Sequence, residues 1–207
     1  GPGVGAYESD HTTHLTVADA DGWVVAATQT INNLFGARFI IPGTGMIANT
    51  YMNLFDPHPG RANSIQPGKR VTTSMAPMMA CKDGRVRFAL GLPGGLRIFP
   101  SAMQALVNLL AHGMSLQEAV EAPRVWTQGE SVEVEHGYGE AVTAALAERG
   151  HPVLPSPHIG GGMNGIAIAE DGRMTGAACW RADGTAIGLG GGQARQGVRF
   201  WPDRPRL

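Results

Sequence analysis

Two short runs of alternating, β-branched residues flank an Ala-Asp-Gly turn near the start of this 207-residue chain. The runs cover residues 12–19 and 23–30, and the turn is Ala20-Asp21-Gly22. This pattern predicts a β-hairpin. Thr12 at the start of the first strand and Thr30 at the end of the second would then lie at the same open end. The sequence therefore predicts two facing hydroxyl groups, an arrangement suited to nucleophilic chemistry.

Composition restricts the class of protein to a globular chain. The chain is 43% hydrophobic with a net charge of -1, which favours one core, or part of one, and gives no reason to expect nucleic acid as a partner. No run approaches the roughly 20 apolar residues that a bilayer span needs, so we expect no membrane association. The 30 glycines have no Gly-X-Y period and are interpreted as turns and close backbone contacts.

Metal and cofactor sites are not predicted. The seven histidines have no metal-ligand spacing, and two distant cysteines do not form a zinc site. Cys81 and Cys179 are interpreted as isolated small hydrophobic residues rather than a disulfide pair. The glycine run at 188–192 follows no strand-loop-helix unit, so we interpret it as a flexible terminus rather than a dinucleotide loop.

The remaining periodicity predicts strands, then helices, then strands again. Further strands are expected at residues 72–81, 85–92, 165–169 and 174–180. Helices are expected at residues 100–112, 115–122 and 139–149, the second opened by a capping box from Ser115 to Glu118. This order of elements predicts an α+β fold with helices packed against sheet.

Four blocks of the sequence, in order along the chain, resemble one known family. Residues 12–22 read Thr-Thr-His-Leu-Thr-Val-Ala-Asp-Ala-Asp-Gly, which resembles the start of the small subunit of γ-glutamyltransferases, a family of N-terminal-nucleophile (Ntn) hydrolases. Thr30, Asn32 and Phe35-Gly36 follow at the family's positions. Three more blocks match in order, at residues 67–77, 91–98 and 121–124. The resemblance extends from Thr12 to about residue 187.

The resemblance implies a four-layer αββα sandwich completed by a separate large subunit from the same precursor. Residues 1–11 would be a lead-in or a remainder of that large subunit, and residues 12–207 the small subunit. The implied assembly is a heterodimer, either alone or within a higher oligomer. Residues 1–5 do not read as a signal peptide, so any targeting signal would lie upstream. The compartment stays open: the resemblance favours a periplasmic or secreted protein, with a cytoplasmic one as the alternative.

The resemblance also implies catalytic roles. Thr12 would be the nucleophile after cleavage of the His11–Thr12 bond, because the freed α-amine has a pKa near 8 and is able to accept the hydroxyl proton. Such families cleave this bond themselves. Thr30 would orient the nucleophile, and the backbone N–H groups of Gly94 and Gly95 would stabilise the oxyanion.

The substrate-binding residues match less completely. Thr73 and Ser74 correspond to a Ser-Ser pair that binds a substrate carboxylate, and Asn32 to a residue near the substrate amine or carboxylate. Leu54, however, replaces the acidic residue that holds the α-ammonium group, and Tyr51 replaces its polar partner. An ammonium against leucine would lose water without gaining a counter-charge. We therefore expect an acyl group with a terminal carboxylate and no α-amine, such as a glutaryl-type or short dicarboxylic monoamide.

Three alternatives remain open from the sequence. The chain would act as a conventional γ-glutamyltransferase or glutathione hydrolase if the ammonium partner came from the large subunit or from another loop. A non-catalytic homologue would keep the fold without exposing Thr12. A cysteine enzyme using Cys81 or Cys179 is disfavoured, because no His or Asn motif accompanies either residue. Another departure, Cys179-Trp180 in place of the family's Asp-Pro, carries no prediction of its own.

Overall fold

The first hairpin forms as the sequence predicts. The computed structural model describes residues 11–189; the rest of the predicted lead-in, and residues 190–192 of the glycine run, lie outside this range. Strands β1 (Thr12–Ala18) and β2 (Val24–Thr30) pair antiparallel, with Thr12 directly opposite Thr30. Asp19 Oδ1 accepts hydrogen bonds from the backbone N–H groups of Asp21 and Trp23, which closes the turn locally.

A four-stranded antiparallel sheet forms the centre of the chain. Its strands are β3 (Met78–Lys82), β4 (Arg85–Gly91), β8 (Asn164–Ile168) and β9 (Met174–Ala178), in that spatial order. The predicted strand at 72–81 is too long, because residues 72–77 form no strand. Pro77 has no N–H to donate to a ladder, and β3 begins directly after it.

Three α-helices form close to the predicted positions. They are α1 (Ile98–Leu110), α2 (Leu116–Glu121) and α3 (Glu140–Glu148). The capping box is confirmed, since Ser115 Oγ accepts from the Glu118 N–H and the Ser115 N–H donates to Glu118 Oε2 at 2.8 Å. Between residues 11 and 189 we find no helix that combines the length and the hydropathy of a membrane span.

A small three-stranded sheet was not predicted. It consists of β5 (Val125–Thr127), β6 (Val132–Glu135) and β7 (Val153–Ser156), with β6 in the middle. β6 and β7 pair in parallel, and α3 lies in the connection between them. The strands have three or four residues each, too few to show a period, and Pro155 lies within β7. The α+β class is nevertheless confirmed.

The layers follow the order helices, sheet, sheet. Helices α1 and α2 pack on one face of the four-stranded sheet, and the β1–β2 hairpin lies against the other face. The core between helices and sheet is made of fully buried side chains that include Leu90, Leu92, Ile98, Ala102, Val120 and Met163. On its outer face the hairpin leaves apolar side chains exposed, namely Leu15, Val17 and Val25.

The two cysteines are unpaired, as expected, but only one is buried. Cys179 follows β9 and is 2% exposed, whereas Cys81 is exposed. Cys81 is exposed because β3 is an edge strand, and the register of β3 with β4 shifts between Ala80 and Cys81. This register shift is a β-bulge, and the sequence around Cys81 gives no signal of it.

Candidate active site

The two predicted hydroxyl groups meet at the open end of the hairpin. Thr12 Oγ1 donates a hydrogen bond to Thr30 Oγ1 at 2.9 Å. Thr30 Oγ1 also accepts from the Asn32 N–H at 2.8 Å and lies 3.4 Å from the carbonyl oxygen of His11. One hydroxyl group therefore contacts both the predicted nucleophile and the carbonyl of the bond that would be cut.

Asn32 connects this pair to a neighbouring loop. Its backbone has a φ of 72°, in the left-handed region that asparagine tolerates better than most residues. Its side-chain Nδ2 donates to Asn53 Oδ1 at 3.0 Å and lies 3.4 Å from Thr50 Oγ1. Asn53 was not predicted as a site residue. It stands directly before Leu54 in the block where the resemblance breaks, which was the available signal.

Tyr51 and Thr73 form a second hydroxyl pair. The Tyr51 phenol oxygen lies 2.6 Å from Thr73 Oγ1, and the Met75 N–H donates to the same threonine oxygen at 3.1 Å. Tyr51 opens a short 3₁₀ turn (Tyr51–Leu54) whose last residue, Leu54, is 40% exposed. The position of the family's acidic residue therefore carries an apolar side chain, in the same short turn as the Tyr51 hydroxyl group.

The paired glycines occupy a turn in which both have positive φ and Gly94 has no room for a side chain. Gly94 and Gly95 have φ values of 136° and 57°. A Cβ on Gly94 would lie 2.6 Å from the Cα of Gly160 and 2.9 Å from the nitrogen of Gly161. On the other side, Ser74 Oγ donates to the Gly95 carbonyl oxygen at 2.7 Å. We call residues 93–95 the glycine turn; Ser74 thus braces this turn in the structure.

A buried charge network holds the segment that contacts the glycine turn. The Glu135 carboxylate accepts hydrogen bonds from Arg181 Nε at 2.8 Å, from the Arg124 N–H at 2.8 Å and from the Ile159 N–H at 2.6 Å. The Arg124 guanidinium donates to the carbonyl oxygens of Ile159 and Gly161. Burial lowers the pKa of Arg124 to about 10, so it stays protonated at neutral pH.

Arg97 forms a second clamp on the same turn. Its N–H donates to the Gly94 carbonyl oxygen at 3.1 Å, and its Nη2 lies 2.8 Å from Glu133 Oε2. The guanidinium carbon lies 4.4 Å from the centre of the Trp126 ring. The sequence did not single out Arg97, Glu133, Glu135 or Arg181, because their partners come from strands that were not predicted or that lie far away in the chain.

Other chemistry finds little support in the described residues. Between residues 11 and 189, no three His, Cys, Asp or Glu side chains come together in a way that would hold a metal ion. The buried Cys179 Sγ accepts from the Met163 N–H at 3.1 Å and lies 3.8 Å from Arg124 Nη2, so it is part of the packed interior. Cys81 lies on β3, at the edge of the four-stranded sheet.

All eight predicted site residues fall into one connected region. Thr12, Thr30 and Asn32 form its first group, and Asn32 reaches the loop that carries Tyr51. That residue contacts Thr73, whose neighbour in sequence braces the glycine turn. Thr12 begins a strand of a hairpin that stacks on the four-stranded sheet, next to a second hydroxyl group. Residues 3–189 match the family model described as gamma-glutamyltranspeptidase. The chain therefore belongs to the γ-glutamyltranspeptidase family.

The similar proteins have two kinds of name: some are called acylases and others γ-glutamyltranspeptidases. The chain is 68% identical over 198 residues to the acylase ACY 1 proenzyme of Pseudomonas sp. (strain SE83), a match that covers 96% of this chain and 36% of the relative. The structure of γ-glutamyltranspeptidase from Pseudomonas nitroreducens complexed with L-DON is similar, with a TM-score of 0.76 and 30% identity over 86% of this chain and 99% of that one. The cephalosporin acylase from Bacillus halodurans gives a TM-score of 0.79 with 28% identity, covering 86% of this chain and 34% of that one.

Proposed function

We propose that this chain is the catalytic subunit of an amide hydrolase or acyltransferase in which Thr12 is the nucleophile. The observation that carries the proposal is the 2.9 Å hydrogen bond between Thr12 Oγ1 and Thr30 Oγ1 at the first residue of β1. Membership of a family with relatives that are called proenzymes supports it. The first step is cleavage of the His11–Thr12 bond: the Thr12 hydroxyl attacks the His11 carbonyl carbon, the C–N bond breaks as an ester forms, and water hydrolyses this ester. The products are a carboxylate on His11 and a free amine and hydroxyl on Thr12.

The freed amine then supplies the base. It accepts the hydroxyl proton of Thr12 while Oγ1 attacks the carbonyl carbon of the substrate amide. The C–N bond breaks, the proton passes to the departing amine, and the acyl group stays on Thr12 as an ester. Water or a second amine attacks this ester, takes the acyl group and restores the hydroxyl. The N–H groups of the glycine turn stabilise the negative oxygen that forms in both steps.

The acyl group that fits best carries a carboxylate and no α-amine. The Tyr51 and Thr73 hydroxyl groups are able to donate to a carboxylate, whereas Leu54 offers an ammonium group no counter-charge. The 68% identity to a protein named acylase supports this class of substrate. Similarity to a cephalosporin acylase supports a leaving amine that belongs to a cephalosporin nucleus. We therefore propose glutaryl-type amides, including N-glutaryl cephalosporins, as substrates.

A pair of chromogenic amides tests this specificity. The full-length, processed enzyme is assayed with glutaryl-p-nitroanilide and γ-glutamyl-p-nitroanilide, and we expect a higher kcat/KM for the glutaryl compound. The variant Leu54→Asp places a carboxylate where the family has one and is expected to move the preference toward the γ-glutamyl compound. Leu54→Asn is the matched control, since it adds a polar group of similar size without the charge.

A conventional γ-glutamyl transfer activity is the second candidate. It is favoured by the similarity to the P. nitroreducens γ-glutamyltranspeptidase, and it requires a preceding segment to supply the ammonium partner. A clear preference of the wild-type enzyme for the γ-glutamyl anilide would establish this candidate and refute the argument from Leu54. A non-catalytic homologue would be indicated if intact-mass measurements never detect cleavage before Thr12.

We further propose that the chain assembles with a large subunit from the same precursor. The chain spans 36% of the length of its acylase relative, so most of that relative lies outside the matched region. The exposed apolar face of the hairpin, and an open groove lined by Phe35, Phe39 and Ile47, offer surface for such a partner. Native mass spectrometry of the processed protein is expected to give a complex of two different chains. Recovery of the small chain alone in folded form would contradict this assembly.

A further inference from the structure

His14 lies directly beside the proposed nucleophile but has no part in the chemistry described above. It stands two residues after Thr12, so the two side chains point to the same face of β1, toward the four-stranded sheet. Its side chain is buried, with the residue only 6% exposed. Burial lowers the pKa of the imidazole to about 4, which keeps the ring neutral under ordinary conditions.

The hydrogen bonds around His14 determine which ring nitrogen carries the proton. Asn164 Nδ2 donates to the His14 carbonyl oxygen at 2.8 Å, so the other side-chain atom, Oδ1, is an acceptor. Thr16 Oγ1 donates its single proton to that Oδ1 at 3.1 Å. It must therefore accept the 3.1 Å bond from His14 Nε2, which carries the proton. His14 Nδ1 then accepts from Thr28 Oγ1 at 2.8 Å.

The same ring packs against the end of β4. A Cβ built on Gly91 would lie 2.5 Å from His14 Nδ1, so the imidazole occupies the space that any side chain at residue 91 would fill. Gly91 pairs with Asn164 across the sheet, and the glycine turn begins two residues further on, at Pro93. The ring therefore lies between the strand that carries Thr12 and the strand that leads into the glycine turn.

We propose that His14 is a positioning residue that sets the separation between the nucleophile and the oxyanion-binding glycine turn. This inference rests on the proposed roles of Thr12 and the glycine turn. The neutral ring is a spacer of fixed thickness, and its two hydrogen bonds, to β2 and to the Thr16–Asn164 pair, prevent it from rotating. Reaction rates depend steeply on such separations, because a displacement of about 1 Å can cost about 10²-fold.

The first test changes the spacing while the histidine itself is kept. In the full-length precursor, Gly91→Ala adds a methyl group in the space of the imidazole, whereas Gly139→Ala adds one in open space at an ordinary backbone angle. We expect Gly91→Ala to lower kcat for the anilide, and the rate of His11–Thr12 cleavage, by about tenfold or more. The inhibition constant of glutarate should stay within about twofold, because the Tyr51–Thr73 pair is held by other loops. Gly139→Ala should leave all three quantities unchanged.

A second pair of variants changes the ring itself. His14→Phe keeps a ring but removes both hydrogen bonds, and we expect a loss of kcat similar to that of Gly91→Ala. His14→Gln retains a donor toward Thr16 and should recover part of that loss. Because Gly91→Ala risks poor folding, Thr16→Val serves as a milder change that removes the partner of Nε2, and the donor to Asn164 Oδ1, without adding bulk. It is expected to lower kcat with little change in melting temperature.

The outcomes separate this inference from the proposed function. If the wild-type precursor neither matures nor hydrolyses either anilide, the proposed function fails. If the wild type is active and the folded Gly91→Ala and Thr16→Val variants retain kcat within about twofold, only the positioning role is overturned. It is also overturned if kcat, glutarate binding and melting temperature fall together in these variants, because that pattern indicates general loss of structure.

Discussion

Glu133 and Glu135 lie two residues apart on β6 and hold two different segments that meet at Gly94. Glu133 binds Arg97, whose own N–H donates to the Gly94 carbonyl oxygen. Glu135 binds Arg181 and the N–H of Ile159, and so anchors the segment whose glycines contact Gly94 from the other side. A sheet of three short strands thus supports the glycine turn from both directions.

Glu135→Gln is expected to destabilise the protein and slow its maturation. The change leaves Arg124 and Arg181 buried without their shared counter-charge, and breaking a buried pair costs about 3–5 kcal/mol. Thermal unfolding of the processed enzyme and the rate of precursor cleavage measure the effect. Glu130→Gln, on an exposed position, is the matched control and should behave as the wild type. An unchanged melting temperature for Glu135→Gln would show that the network contributes little.

Thr30→Val is expected to lower kcat by about tenfold, which corresponds to the loss of one hydrogen bond of about 1.4 kcal/mol. Valine has the shape of threonine but cannot accept the proton of Thr12 Oγ1. Thr30→Ser retains the hydroxyl and should retain most of the rate. Steady-state assays of the processed enzymes give the comparison. Equal rates for the valine and serine variants would argue that Thr30 only fills space.

Gly94→Ala is expected to abolish most of the activity, with a loss of about 10²-fold or more in kcat. The new Cβ would collide with the backbone of Gly160 and Gly161, and the φ of 136° is strained for alanine. Gly113→Ala separates the two effects, because Gly113 has a φ of 65° but no atoms within 4 Å of a new Cβ. We expect Gly113→Ala to lose some stability and to keep its activity. Comparable activity losses in both variants would refute a specific role for the glycine turn.

Tyr51→Phe and Thr73→Val are expected to raise KM for glutaryl-p-nitroanilide by about tenfold each, because each removes a hydroxyl group that we assign to the substrate carboxylate. The two hydroxyl groups lie 2.6 Å apart and act on the same group. The double variant should therefore lose less than the sum of the single losses. The matched anilide without a terminal carboxylate, butyryl-p-nitroanilide, should show no change in KM. A similar loss for the butyryl compound would place these hydroxyl groups outside the carboxylate site.

The stability of the enzyme should fall between pH 6.5 and pH 4 in a way that depends on His14. The pKa of this histidine is about 4 in the folded protein and about 6.5 when it is exposed. The unfolded chain therefore binds more protons in this range, so the contribution of His14 to stability is complete above pH 6.5 and is lost as the pH approaches 4. Melting temperatures of the wild type and of His14→Gln over this range should converge toward low pH. Parallel curves would show that His14 does not contribute to this dependence.

Local signals account for what the sequence predicted correctly. The first hairpin follows from an Asp-Gly turn between two alternating strands, and the second helix from a capping box within four residues. Both depend on residues that are close in the chain. The position of Thr12 opposite Thr30 follows from the hairpin register alone.

The strands and site residues that were not predicted depend on contacts between residues that are far apart in the sequence. β6 pairs with β7 across the whole of α3, and no period is visible in strands of four residues. In the sequence, nothing distinguishes Glu135 from an ordinary surface carboxylate. In the structure it is the most buried acidic group of the site, because it pairs with Arg181, which is distant in the chain. In the same way, His14 gains its surroundings from Gly91 and Asn164, which are distant in sequence.

The contact between Thr30 Oγ1 and the carbonyl oxygen of His11 places one hydroxyl group at both of the proposed events, maturation of the precursor and turnover of the substrate. If this hydroxyl takes part in both the cleavage of the precursor and each turnover, a mutation that changes the rate of turnover also changes the rate of cleavage. A variant selected for faster turnover of its substrate would then also mature from its precursor at a different rate.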